Sequence, residues 1–419
     1  MKLAQTRAAP RPAPLFLYDD ATARRFEPFA LTRPLGELRA GTELIRRRWE
    51  LCMGRSADGA MTAIHLADFE ELGAPPVVTD ATPSFLLPAG SIVANTRCVL
   101  NLGARDSRGA DVWTCGGRVA AVRLGRDTPL AELGKGEVGL ESLSAAGSRT
   151  AELPGMWLER VWSLVTGLAD QLRADIACTA PTLDCELPAG AIVLPGEGAI
   201  HVERGASVEP MVCFDPSAGP ILIRRDVKVR AFTRLVGPLA VCGGSSILGG
   251  RVDCCSIGEG SMVHGEISQS VVLGQSNKSH DGFVGHSYIG RWVNLGAGTI
   301  TSNLKNTYGS VQLWTPDGLF DTGETKLGSF IGDHVKTGIG TRLTTGSVLG
   351  AGSNIYGGAI PPKYVPPFSW GEGDDLSMYR LDKFLSNTAR VMSRRGVTLS
   401  ESEKRQLAAA HARSLEART

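Results

Sequence analysis

Neither sign of charge is in excess in this sequence: 44 basic residues stand against 43 acidic ones, a net charge of +1. That balance argues against nucleic-acid or membrane-surface partners, which call for a basic face. Aromatic residues are scarce, at 6%. The nine cysteines are odd in number and include no Cys-x-x-Cys pair. Neither a disulfide framework nor a cysteine-held metal is therefore indicated. They read as reduced, mostly buried thiols of a cytoplasmic protein, with Cys254 and Cys255 on opposite faces of a strand. No segment approaches the ~20 apolar residues of a membrane span. Residues 1–14 are rich in Pro and Ala and lack the apolar core of a signal peptide, so they read as a disordered lead-in.

What is abundant is glycine, 51 residues in 419, with 42% hydrophobic residues. The length suits two domains, and the glycine content suits many tight turns. Residues 15–183 read as a small α/β domain. Leu15-Phe-Leu-Tyr18 predicts a buried strand whose end carries Asp19 and Asp20. Glu43 to Trp49 has a helical look. A helix is predicted over 156–175, because Leu158, Val161, Trp162, Val165, Leu168 and Leu172 recur at helical spacing. It is expected to pack on the first domain or bridge to the second.

From about residue 184 a six-residue period takes over. Ile289, Leu295 and Thr301 mark it, and after an interruption so do Ile331, Thr337, Leu343, Leu349 and Ile355. An aliphatic or small residue at each repeat head marks a hexapeptide β-helix, in which three short faces make one triangular coil and stacked coils bury a common interior. This β-helix is placed at 184–365. Residues 306–326 break the period around Trp314-Thr-Pro-Asp-Gly318 and read as an insertion projecting from the coil. Pro361-Pro362 and Pro366-Pro367 end the repeat. Residues 366–419 are expected to form a helical cap over the open edge: one helix capped by Asp374-Asp375 and carrying Met378, Leu381, Leu385 and Met392, and a second over 401–417.

Within the repeats, Asn277-Lys-Ser-His-Asp-Gly-Phe-Val-Gly285, Trp292-Val-Asn-Leu-Gly-Ala-Gly-Thr299 and Ser302-Asn-Leu-Lys-Asn306 carry far more hydrogen-bonding capacity than packing requires. With Lys326 and Asp333, this region resembles the acetyltransferase half of the bifunctional N-acetylglucosamine-1-phosphate uridyltransferase/glucosamine-1-phosphate acetyltransferases. The whole chain resembles the alternative bacterial version of that enzyme, in which an atypical sugar nucleotidyltransferase domain precedes a left-handed β-helix. Phe29-x-Leu-Thr-Arg-Pro-Leu-Gly-Glu-Leu-Arg-Ala-Gly41, Asn303-Leu-Lys-Asn306, Gly332-Asp-His334 and Phe368-Ser-Trp-Gly371 carry this likeness, which covers roughly residues 15 to 395.

The resemblance implies a set of site residues. His280 matches the base that takes a proton from a sugar amine as it attacks a thioester, a task suited to an imidazole. Asn294 and Asn303 match sugar-binding positions, since an amide both donates and accepts; the alternative is an asparagine ladder that stabilises the coils. Ala297 matches a backbone oxyanion donor next to acetyl-CoA, and Lys326 matches a lysine near the sugar phosphate. The family's phosphate-gripping arginine falls on Val241, a tyrosine on Phe283 and a serine on Ile339. Lys278 and Lys305 are candidate replacements for the missing cation. In the first domain the usual Gly-rich phosphate loop is replaced by Asp19 to Pro28, without glycine. Arg24, Arg33 and Arg39 are expected to hold triphosphate oxygens, and Asp19 or Asp20 to hold Mg²⁺.

The expected function is bifunctional amino-sugar nucleotide synthesis by a homotrimer. Its substrates would be a sugar phosphate, a nucleoside triphosphate and acyl-CoA. The alternatives are one live domain acting on another sugar, or a non-catalytic sugar-nucleotide-binding trimer.

Overall fold

A computed structural model describes residues 13–79, 85–106, 109–145 and 147–418. The predicted lead-in lies almost wholly outside these residues.

The first domain is built on a seven-stranded mixed sheet. Its central strand, Leu15–Tyr18, pairs in parallel with Gly59–Met61 on one side and Ile92–Asn95 on the other. Antiparallel strands Arg118–Arg123 and Val112–Cys115 extend the sheet beyond Ile92–Asn95. Both faces of the central strand are covered, which is why it is apolar throughout rather than alternating. In doubly covered α/β sheets, ligands collect beyond the carboxyl ends of the strands where the chain order reverses. Asp19 and Asp20 leave the central strand at that point.

The predicted helix over 156–175 does not form as one piece. Gly155–Trp157 is a strand paired with Cys98–Leu100. A single helical turn follows at Ser163–Thr166, and the main helix runs Leu168–Thr179. Gly167 interrupts the apolar period and separates the two. The bridging role is seen: Leu168, Leu172 and Ile176 share a core with Trp49 from the first domain and Ala240 from the second. The helix predicted over Glu43 to Trp49 spans Ile45–Met53. It is tied to Leu168–Thr179 by a wholly buried ion pair between Arg48 and Asp175, Arg48 Nη1 lying 3.0 Å from Asp175 Oδ1.

The second domain is a left-handed parallel β-helix. The repeat heads Ile289, Leu295, Thr301, Ile331, Thr337, Leu343, Leu349 and Ile355 are all buried. One face is a nine-stranded parallel sheet that includes Val271–Gly274, Tyr288–Arg291 and Phe330–Ile331. Residues on it alternate between two cores. Val272 and Ile289 point into the coil. Val271, Tyr288 and Phe330 point outward into the core of the first domain. The first domain therefore sits on this face. The coil corner that carries His280 lies opposite it, between the other two faces.

Three expectations need correction. The insertion does not project into solvent. Its hairpin, Gln312–Thr315 with Gly318–Asp321, buries Val311 and Leu313 in the first-domain core. Trp314 stacks on Tyr364 at 3.5 Å, and Arg160 lies over Phe320. The apolar side chains of the insertion favour burial, and the adjacent first domain supplies the partner surface. Secondly, Asp375–Met378 is a strand, not a helix start; it pairs with Ser369–Glu372 as a hairpin closing the last coil. The helix begins at Leu381. Thirdly, the terminal helices do more than cap. Glu401–Glu416, which opens with a Ser400–Glu403 capping box, reaches back to the first domain, where Gln406 donates to the Thr32 carbonyl.

All nine cysteines are free, and five are buried. No described helix is long and apolar enough to cross a membrane.

Candidate active sites

The first candidate site is a cleft of about 530 Å³ at the carboxyl end of the central strand. Asp20, Asn95, Arg97, Arg118, Trp157 and the loop around Gly136 line it. Asp20 accepts from Asn95 Nδ2 at 2.9 Å and from Arg97 Nε at 2.8 Å, and it caps the next turn through Ala23 N. Arg118 lies 4.1 Å over the Trp157 ring and Arg97 lies 5.5 Å from it. Two guanidinium groups thus lie over one indole, and both also pair with Glu159. Gly136, at φ +90°, lets its loop come against residues 19–21, since a Cβ there would lie 2.7 Å from Ala21 N. No side chain fits that contact.

Asp19 does not share this role. It is buried, and it accepts from Thr96 Oγ1 at 2.5 Å, Thr62 Oγ1 at 2.6 Å and Leu35 N at 3.1 Å. Its burial raises its pKa, and these three donors oppose the rise. A carboxylate enclosed by donors anchors the loop and offers no edge to a cation. Among the described residues no group of three or more His, Cys, Asp or Glu could hold a metal. Mg²⁺ commonly binds through one or two carboxylates plus substrate phosphates. Asp20 faces the cleft, but Arg97, Asn95 and Ala23 N donate to its two oxygens, so a cation there would have to displace Arg97.

The predicted arginines do not assemble here. Arg33 is buried between Asp333 at 2.8 Å and Glu71 at 2.7 Å. Arg39 is buried against Glu259 at 2.6 Å. Both join the first domain to a corner of the β-helix, where each is paired with carboxylate. Arg24 lies close, donating to the Asp19 carbonyl at 3.0 Å. The arginines lining the cleft are Arg97, paired with Asp20 and Glu159, and Arg118, paired with the half-exposed Glu159; neither carried a motif that could single it out. The available signal was positional: Arg97 follows a strand next to the central one.

The second candidate site lies on the β-helix. Register sets it. Asn277 pairs with Asn294, and Asn294 with Lys336. Gly298 N donates to the Asp281 carbonyl at 3.0 Å, so His280 and Ala297 occupy equivalent corners of successive coils. Gly340 N in turn donates to the Ala297 carbonyl at 2.8 Å, which puts Ile339 at the same corner one coil further. His280 is exposed, and Ile339 is 81% exposed.

Asn294 stands on the face before this corner, and Asn303, one coil above His286, stands at the end of the face after it. Asn277 Nδ2 donates to Asn294 Oδ1 at 2.7 Å, so a short asparagine ladder is present. Asn303 Nδ2 lies 2.8 Å from His286 Nδ1. Burial first, and then the charge of Lys326, push the His286 pKa down to about 4. The ring is therefore neutral at pH 7, and Nδ1 can accept from the amide. That bond fixes which way Asn303 presents its oxygen. Lys326 is exposed, and it forms no ion pair with a described residue.

Lys278 does not reach this surface. It is buried under the corner and donates to the carbonyls of His280 and Asp281. Desolvation lowers its pKa to about 8. Its work is to hold the His280 corner in shape. Lys305 donates to the Ser310 carbonyl within the insertion. Val241 points into the coil and is fully buried, so its position offers no phosphate contact.

Residues 15–181 match the family described as sugar nucleotidyl transferase. Over 95 residues the chain is 39% identical to a bifunctional sugar-1-phosphate nucleotidylyltransferase/acetyltransferase of Sulfurisphaera tokodaii, covering 23% of this chain and 24% of that protein. It is 32% identical over 130 residues to the bifunctional protein GlmU of Methanococcus vannielii, covering 31% and 30% of the two chains. It is 30% identical over 220 residues to the GlmU of Bordetella parapertussis, covering 47% and 42%. The chain thus spans less than half the length of these curated relatives. Residues 15–181 thus form a domain similar to sugar nucleotidyl transferases, joined to a parallel β-helix, and the matched relatives are bifunctional nucleotidylyltransferase/acetyltransferases.

Proposed function

We propose that the β-helix transfers acetyl from acetyl-CoA to the amine of glucosamine 1-phosphate, and that the first domain then transfers uridylyl from UTP. The products would be coenzyme A, UDP-N-acetylglucosamine and pyrophosphate. The observation that carries this reading is the exposed imidazole of His280 stacked in register on the Gly296-Ala297-Gly298 backbone. In the proposed reaction the amine nitrogen attacks the thioester carbonyl while His280 accepts its proton. The Ala297 N–H stabilises the oxyanion, and the carbon–sulfur bond then breaks, releasing the thiol. Asn303, oriented by neutral His286, and Asn294 hold sugar hydroxyls from the two sides of the corner. Lys326 is the exposed cation for the sugar phosphate. Because the asparagines lie on different faces, the proposal includes a homotrimer in which a neighbouring copy closes the site.

In the first domain, a phosphate oxygen of the sugar attacks the α-phosphorus of UTP and pyrophosphate leaves. Positioning and charge neutralisation dominate such a step. Arg97 and Arg118 would supply the charge and Trp157 a flat surface for the base. Asp20 would take part in holding Mg²⁺, which when bound neutralises phosphate charge. The proposal includes a cytoplasmic location, where thiols stay reduced.

A second reading, another amino sugar as acceptor, is favoured by the burial of Val241. The test is thiol release from acetyl-CoA with glucosamine 1-phosphate, comparing the native chain with His280→Ala. The exposed side chain makes misfolding of the variant a small concern. A fall of roughly 10²–10⁴-fold is expected. An unchanged rate in the variant would remove His280 as base. No release by the native chain would move the weight to another acceptor.

A further inference from the structure

A smaller cleft, about 240 Å³ in volume, adjoins the one at the end of the central strand; the two share Ala21 and Thr22. Its walls come from both domains. Arg25, Glu159 and Arg160 belong to the first, and Thr315 and Asp317 to the tip of the insertion hairpin. The tip holds its own shape: Asp317 N donates to Thr315 Oγ1 at 3.2 Å, and Thr315 Oγ1 donates to the Gly318 carbonyl at 3.2 Å. An ion pair between Asp317 Oδ1 and Arg25 fastens the tip to the first domain. Asp317 Oδ2 is left to accept a further hydrogen bond. The arginines of the two clefts are not alike. Arg97 pairs with Asp20 and Glu159, Arg118 with Glu159, and Arg25 with Asp317. Arg160, half-buried, forms no ion pair with a described residue, and its guanidinium lies 4.5 Å from the centre of the Phe320 ring. A guanidinium placed by a ring rather than by a carboxylate keeps its N–H donors for an anion.

We propose that this cleft is the acceptor subsite of nucleotidyl transfer, with the phosphate of a sugar phosphate on Arg160 and a sugar hydroxyl on Asp317 Oδ2. The insertion of the β-helix then supplies one wall of the first domain's reaction site. Position favours this use, because an attacking phosphate oxygen has to lie beside the nucleotide phosphates, in line with the leaving group. The base of the same insertion lies at the other site. Leu327 N donates to the Asn303 carbonyl at 2.9 Å, and Leu304 bridges to Lys326. One hairpin therefore reaches from the acyl-transfer corner to the nucleotidyl-transfer cleft. The inference rests on nucleotidyl transfer by the first domain and is independent of acetyl transfer at His280.

The experiment is steady-state pyrophosphate release from UTP with N-acetylglucosamine 1-phosphate by the full chain, native and with Arg160→Met or Asp317→Asn. Methionine keeps an apolar stem against Phe320, and a retained melting temperature shows that the variant is folded. In Arg160→Met the KM for the sugar phosphate is expected to rise about tenfold or more, as loss of a charge-assisted contact implies. Asp317→Asn should raise it by less. The KM for UTP and thiol release from acetyl-CoA should stay near native in both variants. A sugar-phosphate KM that is unchanged in both, or a rise matched by the KM for UTP, overturns the proposal. If the native chain releases no pyrophosphate, calorimetric titration of native and Arg160→Met with N-acetylglucosamine 1-phosphate decides. Binding that is about tenfold weaker in the variant keeps the subsite and removes the reaction assigned to it. No binding by the native chain, or equal binding by both, overturns the subsite.

Discussion

The two candidate active sites are assembled in opposite ways. In the β-helix, His280, Asn294, Ala297 and Asn303 fall within 24 positions, and register alone decides which of them meet. In the first domain, Asp20, Asn95, Arg97, Arg118 and Trp157 converge from four separate segments of the chain. A solenoid converts sequence spacing almost linearly into spatial position, since each coil touches only its neighbours. A twisted mixed sheet does not, because strands adjacent in space come from distant parts of the chain. The polar residues differ as well. In the β-helix they form columns, such as Asn277 on Asn294. In and around the first domain they form buried ion pairs, such as Arg48 with Asp175 and Arg33 with Asp333.

That contrast is open to test. The largest expected effect belongs to Arg48→Met. It leaves Asp175 buried without its cation, beside Thr42 N at 2.8 Å and Gln171 Nε2 at 3.2 Å. Removing one partner of a buried pair costs about 3–5 kcal/mol. Chemical denaturation followed by circular dichroism should show that loss; a variant within 1 kcal/mol of native (about a fivefold change in the folding constant) would mean that the pair is dispensable. Next comes Arg97→Ala. Loss of a preorganised charge at a phosphoryl centre costs about 10²-fold in rate. Pyrophosphate release from UTP should fall by that order while thiol release from acetyl-CoA stays near native. A parallel fall in both would show that the sites are not independent.

A smaller effect is expected for His286→Phe, which keeps the ring shape and removes the Nδ1 acceptor for Asn303. One lost orienting hydrogen bond is worth about 1 kcal/mol. The KM for the acceptor sugar should therefore rise several-fold with kcat little changed; a collapse of kcat instead would make His286 the base. The smallest effect is a pH dependence. Burial lowers the pKa of His65 and His286 to about 4 and of His334 to about 3. Unfolded histidines take up protons near pH 6.5. Below that pH the unfolded chain binds more protons than the folded one, so stability should decline from about pH 6.5 towards pH 4. Glu27, raised to about 7 by burial, acts in the other direction over the same range. Glu27→Gln should consequently steepen the acid decline of the melting temperature, and an unchanged slope would mean that this carboxyl is not buried in solution.

Much of the β-helix was legible. The period of six names the inward residues directly, because only an inward side chain at each repeat head can fill a coil that narrow. The ladder alternative for Asn294 was legible too, and the structure contains that ladder. What the repeat did not reveal was the direction of Lys278. Its place next to His280 suggested a substrate contact, yet alternation along its short strand turns it into the coil. The insertion was located by its break in period, but its destination depended on the first domain lying alongside. Arg33 and Arg39 were misleading for a related reason: a cluster of arginines is equally compatible with phosphates and with carboxylates, and Asp333 and Glu259 lie more than 200 positions away.

The sequence by itself determined the division into an α/β domain and a β-helix, the inward residues of the coils and the corner residues around His280. Those follow from periodicity and from turn chemistry, which act over a few residues. Only the tertiary structure decided which cations face the cleft of the first domain and which lock the two domains together. It also decided that the helix Leu381–Ser393 presents Lys383 and Arg390 to a cleft beside Trp370. Those outcomes depend on contacts between distant segments, where burial selects the partner of each charge and no local pattern records the choice.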